Sequence, residues 1–113
     1  MPEETDKANV VGETAIDVPE VFAAMREVYD PEIPVNIVDL GLIYDLTITG
    51  GVVDVTMTLT AIGCPVAGEV MADVENRVMS VPNVEKTNVT LTFDPPWTTD
   101  RMTEDAKWEL GIS

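Results

Sequence analysis

Apolar residues first fall into a helical spacing at Phe22, Met25, Val28 and Tyr29, which share one face at intervals of three and four. The spacing predicts a helix over about residues 18–29. Asp17 is placed to cap it, Glu20 follows three residues later, and Pro19 is tolerated in a first turn. Asp30-Pro31 ends it, because the residue before a proline avoids the helical region. The period then changes to two. Leu42, Tyr44, Leu46 and Ile48 alternate with Ile43, Asp45, Thr47 and Thr49; after Gly50-Gly51, Val53, Val55, Met57 and Leu59 alternate with Asp54, Thr56, Thr58 and Thr60. This predicts a hairpin over 42–49 and 52–60, apolar on one side and threonine-rich on the other, the threonine side being solvated or lining a shallow groove.

A second helical stripe, Val66, Val70, Met71, Val74 and Val78, predicts a helix over about 65–80, stopped by Ser80-Val81-Pro82-Asn83. Residues 84–93 alternate again, with Val89, Leu91 and Phe93 on one side and Thr90 and Thr92 on the other. Asp94-Pro95-Pro96-Trp97 turns the chain, and a short helix from about Thr103 to Leu110 closes it, anchored by Met102 and Trp108. The expected fold is a small two-layer α/β (α+β) domain in the order helix, strand, strand, helix, strand, helix, since three short strands need a helical layer over their apolar face. Residues 1–12 show little periodicity and read as a flexible arm or irregular edge element; 13–113 read as one domain without internal repeat.

Charge sharpens this division. Nine carboxylates and two cations fall in 1–32, three and none in 33–66, and nine and four in 67–113, so the middle is the core-like stretch. The net charge of -15 argues against nucleic acid, whose backbone wants cations, and against a polybasic hold on lipid. No apolar run approaches a spanning helix, and MPEETDKANV lacks a basic stretch followed by an apolar one, so a cytoplasmic, soluble protein is expected. With no histidine there is no Ser-His-Asp triad and no imidazole ligand. With one cysteine there is no internal disulfide and no four-cysteine metal site within one chain.

That cysteine, Cys64, is the most informative residue. It follows the second strand in Thr58-Leu59-Thr60-Ala61-Ile62-Gly63-Cys64-Pro65, and Pro65 suits a first helical position, which puts Cys64 at or near the cap. Orphan amides there favour a thiolate, whereas neighbouring carboxylates oppose one. The other reading is a small buried hydrophobe. Asp30 and Glu32, two residues apart in a connection fixed by Pro31 and Pro34, suit amide orientation, cation binding or acid–base work, or else a turn cap and a solvated acid. Asp39 is placed to accept amides of the turn that Gly41 permits. Glu69, one turn past Cys64, reads as a metal ligand or proton handler, or as an ordinary first-turn acid. Trp97 either roofs the cysteine pocket or plugs the core. From these residues alone, an enzyme and an assembly factor remain equally open.

Three segments in order carry a resemblance: Asp30-Pro31-Glu32-Ile33-Pro34 through Asp39-Leu40-Gly41-Leu42-Ile43-Tyr44-Asp45; Thr58-Leu59-Thr60 through Gly63-Cys64-Pro65; and Val89-Thr90-Leu91-Thr92-Phe93-Asp94-Pro95-Pro96-Trp97 followed by Asp100-Arg101-Met102. With their spacing they cover about residues 18–112, and the chain resembles the MIP18 family (DUF59 domain) and, within it, the SufT-like proteins. The resemblance implies a role in iron–sulfur cluster assembly and a fold similar to the carboxy-terminal domain of NifU-type scaffolds. It also implies functional roles for Cys64, for the acidic loop residues Asp30, Glu32 and Asp39, for Thr58 and Thr60, and for Trp97. A related branch serving phenylacetate breakdown carries a cysteine-rich tail that is not seen before Ser113. Another is fused to an ATPase, and no phosphate loop occurs here.

Where NifU-type domains carry Cys-x-x-Cys, Cys64 is followed by Pro65, Val66 and Ala67. One thiolate cannot make a conventional scaffold. The expected function is a non-catalytic maturation factor for iron–sulfur proteins, with no tightly bound cofactor and with assembly machinery and apo clients as partners. The alternatives are a homodimer that carries iron or a cluster transiently, with Cys64 as ligand, and a small thiol-dependent enzyme using Cys64 with Glu69, Asp30 or Asp39. The enzyme suffers from having no histidine base. A homodimer is expected only from the frequency of two-fold assemblies.

Overall fold

The computed structural model describes residues 8–30, 33–60 and 67–111. Its order is β1 (Asn9–Val11), α1 (Val18–Met25), β2 (Ile43–Thr49), β3 (Val52–Met57), α2 (Ala67–Met79), β4 (Lys86–Leu91), a single 3₁₀ turn at Thr99–Arg101, and α3 (Glu104–Leu110). The four strands lie in one sheet in chain order, β1-β2-β3-β4. The outer pairs are parallel and the central pair is antiparallel. Each helix crossover therefore joins two parallel neighbours, β1-α1-β2 and β3-α2-β4, and the hairpin over Gly50-Gly51 links the two units.

One face of the sheet is apolar because the strands alternate. Leu46, Ile48, Val53, Val55 and Met57 are buried there against Val21, Phe22 and Met25 of α1 and Val70, Val74 and Val78 of α2. These two helices form the second layer. Among the described residues, no helix is long and apolar enough to cross a membrane.

Several expectations are corrected. Residues 9–11 form a fourth, parallel edge strand: its three side chains are all exposed, so they left no periodicity to read. Helix α1 stops at Met25, and Tyr29 is 58% exposed, outside the apolar stripe; it bridges instead to Asn36. Asp17 stands at the N-cap, but its side chain makes no cap bond, and its carbonyl receives Glu20 and Val21 N–H. In β2 the register passes from Ile43↔Met57 to Asp45↔Thr56, so Tyr44 is the extra residue of a bulge. Ile43, not Tyr44, packs toward the core.

The threonine side is also interrupted. Thr58 is fully buried, because Met57, Thr58 and Leu59 are covered in succession where the chain leaves the strand and Thr58 N–H turns to the Leu42 carbonyl. Met102 anchors α3 as expected, but Trp108 is 76% exposed. Thr103 caps that helix by accepting Ala106 N–H at 3.2 Å.

On β4, Thr87 is buried with its hydroxyl unpartnered among the described residues. An unmade buried hydrogen bond costs about 1–3 kcal/mol, and valine keeps the β-branch that suits a strand. Thr87→Val is therefore expected to raise stability by about 1 kcal/mol in urea titrations; a lower midpoint would show that the hydroxyl has a partner.

Candidate functional site

Asp30 follows the tail of α1 and is only 5% exposed. Its Oδ1 accepts Ile33 N–H at 3.0 Å, closing a tight turn, while Asp30 N–H reaches the Val35 carbonyl and Ile37 N–H reaches that of Val28. Residues 29–30 and 33–37 are thereby folded back along the end of the helix. The second carboxylate oxygen, Oδ2, accepts the Thr60 hydroxyl at 3.2 Å. Thr60 is the residue from which the 61–66 segment departs after β3, so this bond joins the roots of the two segments that carry Glu32 and Cys64. Those two residues, and Pro65, lie outside the described residues. With both oxygens accepting hydrogen bonds, Asp30 acts in this arrangement as a clamp between loops.

Asp39 is held differently. Asn36 starts the next turn: its side-chain carbonyl accepts Asp39 N–H at 2.9 Å and its amide donates to Asp39 Oδ2 at 3.1 Å. Asp39 Oδ1 stands 3.6 Å from Arg26 Nε, at the C-terminal end of α1. The carboxylate thus meets a side-chain amide and a guanidinium, not the turn amides anticipated for it. The signal for this turn was present in the sequence as an Asn with an acid three residues on, the spacing of a reciprocal cap. Arg26 gave no comparable signal, because its pairing with Asp39 depends on how the loop folds back.

A C-terminal strap covers this loop. Trp97 Nε1 donates to the Leu40 carbonyl at 2.6 Å, and Thr103 N–H donates to the Asp39 carbonyl at 2.8 Å. Gly41, at φ +80°, faces the Arg101 backbone so closely that a β-carbon would lie 2.7 Å from the Arg101 carbonyl carbon. The bulged Tyr44 sends its hydroxyl to the Pro95 carbonyl at 2.8 Å, and the Arg101 guanidinium sits 4.3 Å over its ring. Trp97 is half-buried against the core and locks the loop.

The structure brings Asp30 together with Thr60, and Trp97 with the Asp39–Leu40 loop. Thr58 is buried, with a long 3.5 Å contact from its hydroxyl to the Leu59 carbonyl, and so lines no open groove. Glu69 is exposed on the first turn of α2. Among the described residues, no group of three or more Cys, Asp or Glu side chains is arranged to hold a metal ion.

Over residues 19–91, from the start of α1 through β4, the sequence matches the family described as iron-sulfur cluster assembly protein. The chain belongs to this family. Among iron–sulfur assembly proteins, the Fe-S protein maturation auxiliary factor of Porphyromonas gingivalis is 50% identical over 94 residues, 82% of this chain and 90% of its own. The Fe-S protein maturation auxiliary factor YitW of Bacillus subtilis is 42% identical over 93 residues, 81% of this chain and 91% of its own. The crystal structure of a DUF59 domain from Bacillus anthracis superposes with a TM-score of 0.78 at 41% identity, covering 84% of this chain and 92% of that one. The small two-layer α/β plan is thus the plan of the DUF59 proteins, and the family indicated by the three motifs is the right one.

Proposed function

We propose that this assembly-family protein, a non-catalytic factor in iron–sulfur protein maturation, works at the place where the Asp30 turn meets the end of β3. Cys64 is the thiol it offers to iron or a cluster in transit. The observation that carries the reading is the Asp30–Thr60 hydrogen bond, which ties together the starts of the Glu32 and Cys64 segments although thirty residues separate the two partners. A carboxylate clamp of this kind fixes the direction in which a flanking segment sets out without itself binding cargo. A single soft ligand holds a cluster weakly, which suits handing on rather than storage. The likeness to the NifU C-terminal domain belongs to this proposal as a shared layer plan without the shared Cys-x-x-Cys ligands. Apo clients and assembly machinery in the cytoplasm are the partners it requires.

The test is a strain lacking the gene, grown under iron limitation and complemented with either form of the protein. Wild type is expected to restore iron–sulfur enzyme activities, and Cys64→Ser to leave them several-fold lower at equal protein level and equal melting temperature. Enzyme activities untouched by the deletion would sink the role itself; full rescue by Cys64→Ser would sink the thiol.

A further inference from the structure

Helix α3 is fastened by one side and bare on the other. Ala106 is buried, Leu110 packs toward the core, and Thr103 caps the first turn while holding the Asp39 carbonyl. At 100° per residue, Trp108 lies about 200° round the helix from Ala106. Its indole cannot be tucked in without unseating Ala106, and it stands 76% exposed. Glu104 and Asp105, four and three residues earlier, share the face of the indole and are exposed, as is Glu109. Three cations described elsewhere are engaged away from this face, Arg77 with Asp73 and Glu27, Arg26 with Asp39, and Arg101 over Tyr44; Lys86 lies on β4, and Lys107 precedes the indole on α3 itself.

We propose that this outer face of α3 is a docking surface for a protein partner presenting an arginine from a basic surface. The indole face attracts a cation, and the carboxylates three and four residues earlier can accept the N–H groups of the same guanidinium. A planar guanidinium stacks and forks at once, which a lysine ammonium does not. Charge complementarity selects the occupant. A chain of net charge -15 steers a basic surface toward itself and repels a second copy of equal charge. The proposal draws on no residue of the 61–66 segment, and it stands whether or not the thiol reading does.

The probe is a fluorescein-labelled hexaarginine peptide, followed by anisotropy at low salt against the whole chain, with hexalysine alongside. Binding is expected to be tighter for hexaarginine. Trp108→Ala is expected to weaken it about threefold to fivefold, as loss of an exposed cation–π contact does, with Trp108→Phe intermediate. Glu104→Gln with Asp105→Asn is expected to weaken it by more than the equally charged control, Glu75→Gln with Glu85→Gln. Unchanged circular dichroism melting of Trp108→Ala would show that the loss is local. Equal binding by wild type and Trp108→Ala, equal loss in the two charge-neutralised pairs, or no preference over hexalysine would overturn the proposal. Sedimentation showing a dimer that Trp108→Ala dissolves would overturn it too, by giving the face to a second copy.

Discussion

Gly41→Ala is expected to destabilise the protein by about 2–4 kcal/mol. A left-handed φ costs an L-residue about 1 kcal/mol, and forcing a group into a packed site adds about 1–3. Here the obstacle is the Arg101 backbone, which a rotamer change cannot move aside. The strap must shift, and with it the Trp97–Leu40 and Thr103–Asp39 hydrogen bonds. At about 4–8 °C per kcal/mol for a domain of this size, melting should fall by roughly 8–30 °C. Tryptophan emission should move to longer wavelength; since Trp108 is already exposed, the change would report Trp97. Unaltered melting and emission would show that the strap does not bear on Gly41 in solution.

Val74→Asp is expected to be more severe. Val74 is fully buried at the centre of the α2 stripe, where α2 meets the sheet and α1. A carboxylate there would face the apolar side chains of the core, and burying it unpaired costs several kcal/mol, a large part of what a small domain has in reserve. The variant should be largely unfolded or insoluble, and Val74→Ala should be milder, because it loses packing without burying charge. Soluble Val74→Asp with a near-native melt would mean that α2 presents another face to the sheet.

The sequence was most legible where one physical rule governed a whole element. In α2, Val70, Val74 and Val78 lie where their spacing put them, and the β2–β3 hairpin turns at Gly50-Gly51. Legibility failed where local pattern met a tertiary decision. Tyr44 reads as one more apolar position in an alternating strand, yet a bulge hands its place to Ile43 and turns its hydroxyl to Pro95. Trp108 has a core residue's composition, but Ala106 takes the inward side of a seven-residue helix that has room for only one such stripe. Strand β1 pairs through its backbone while its three side chains face water, so hydropathy had nothing to show.

Of the candidate site, the acidic turn was visible as two carboxylates in a connection that holds two prolines. The use made of Asp30 was not. A hydrogen bond to Thr60 spans thirty residues, and no periodicity announces it. Asp39 was rightly placed in a turn but wrongly matched, since its partners Arg26 and Asn36 are set by the loop's return along α1.

The sheet order bears on how the chain reaches this structure. Every strand pairs with the one before it, so no strand has to be threaded between two already joined. The β2–β3 hairpin closes with a two-residue loop, the smallest entropic outlay in the sheet, while β1 and β4 are brought in across their helices from opposite ends of the chain. Assembly can run outward from the middle in both directions, and a delay on one flank leaves the other free to complete its own βαβ unit.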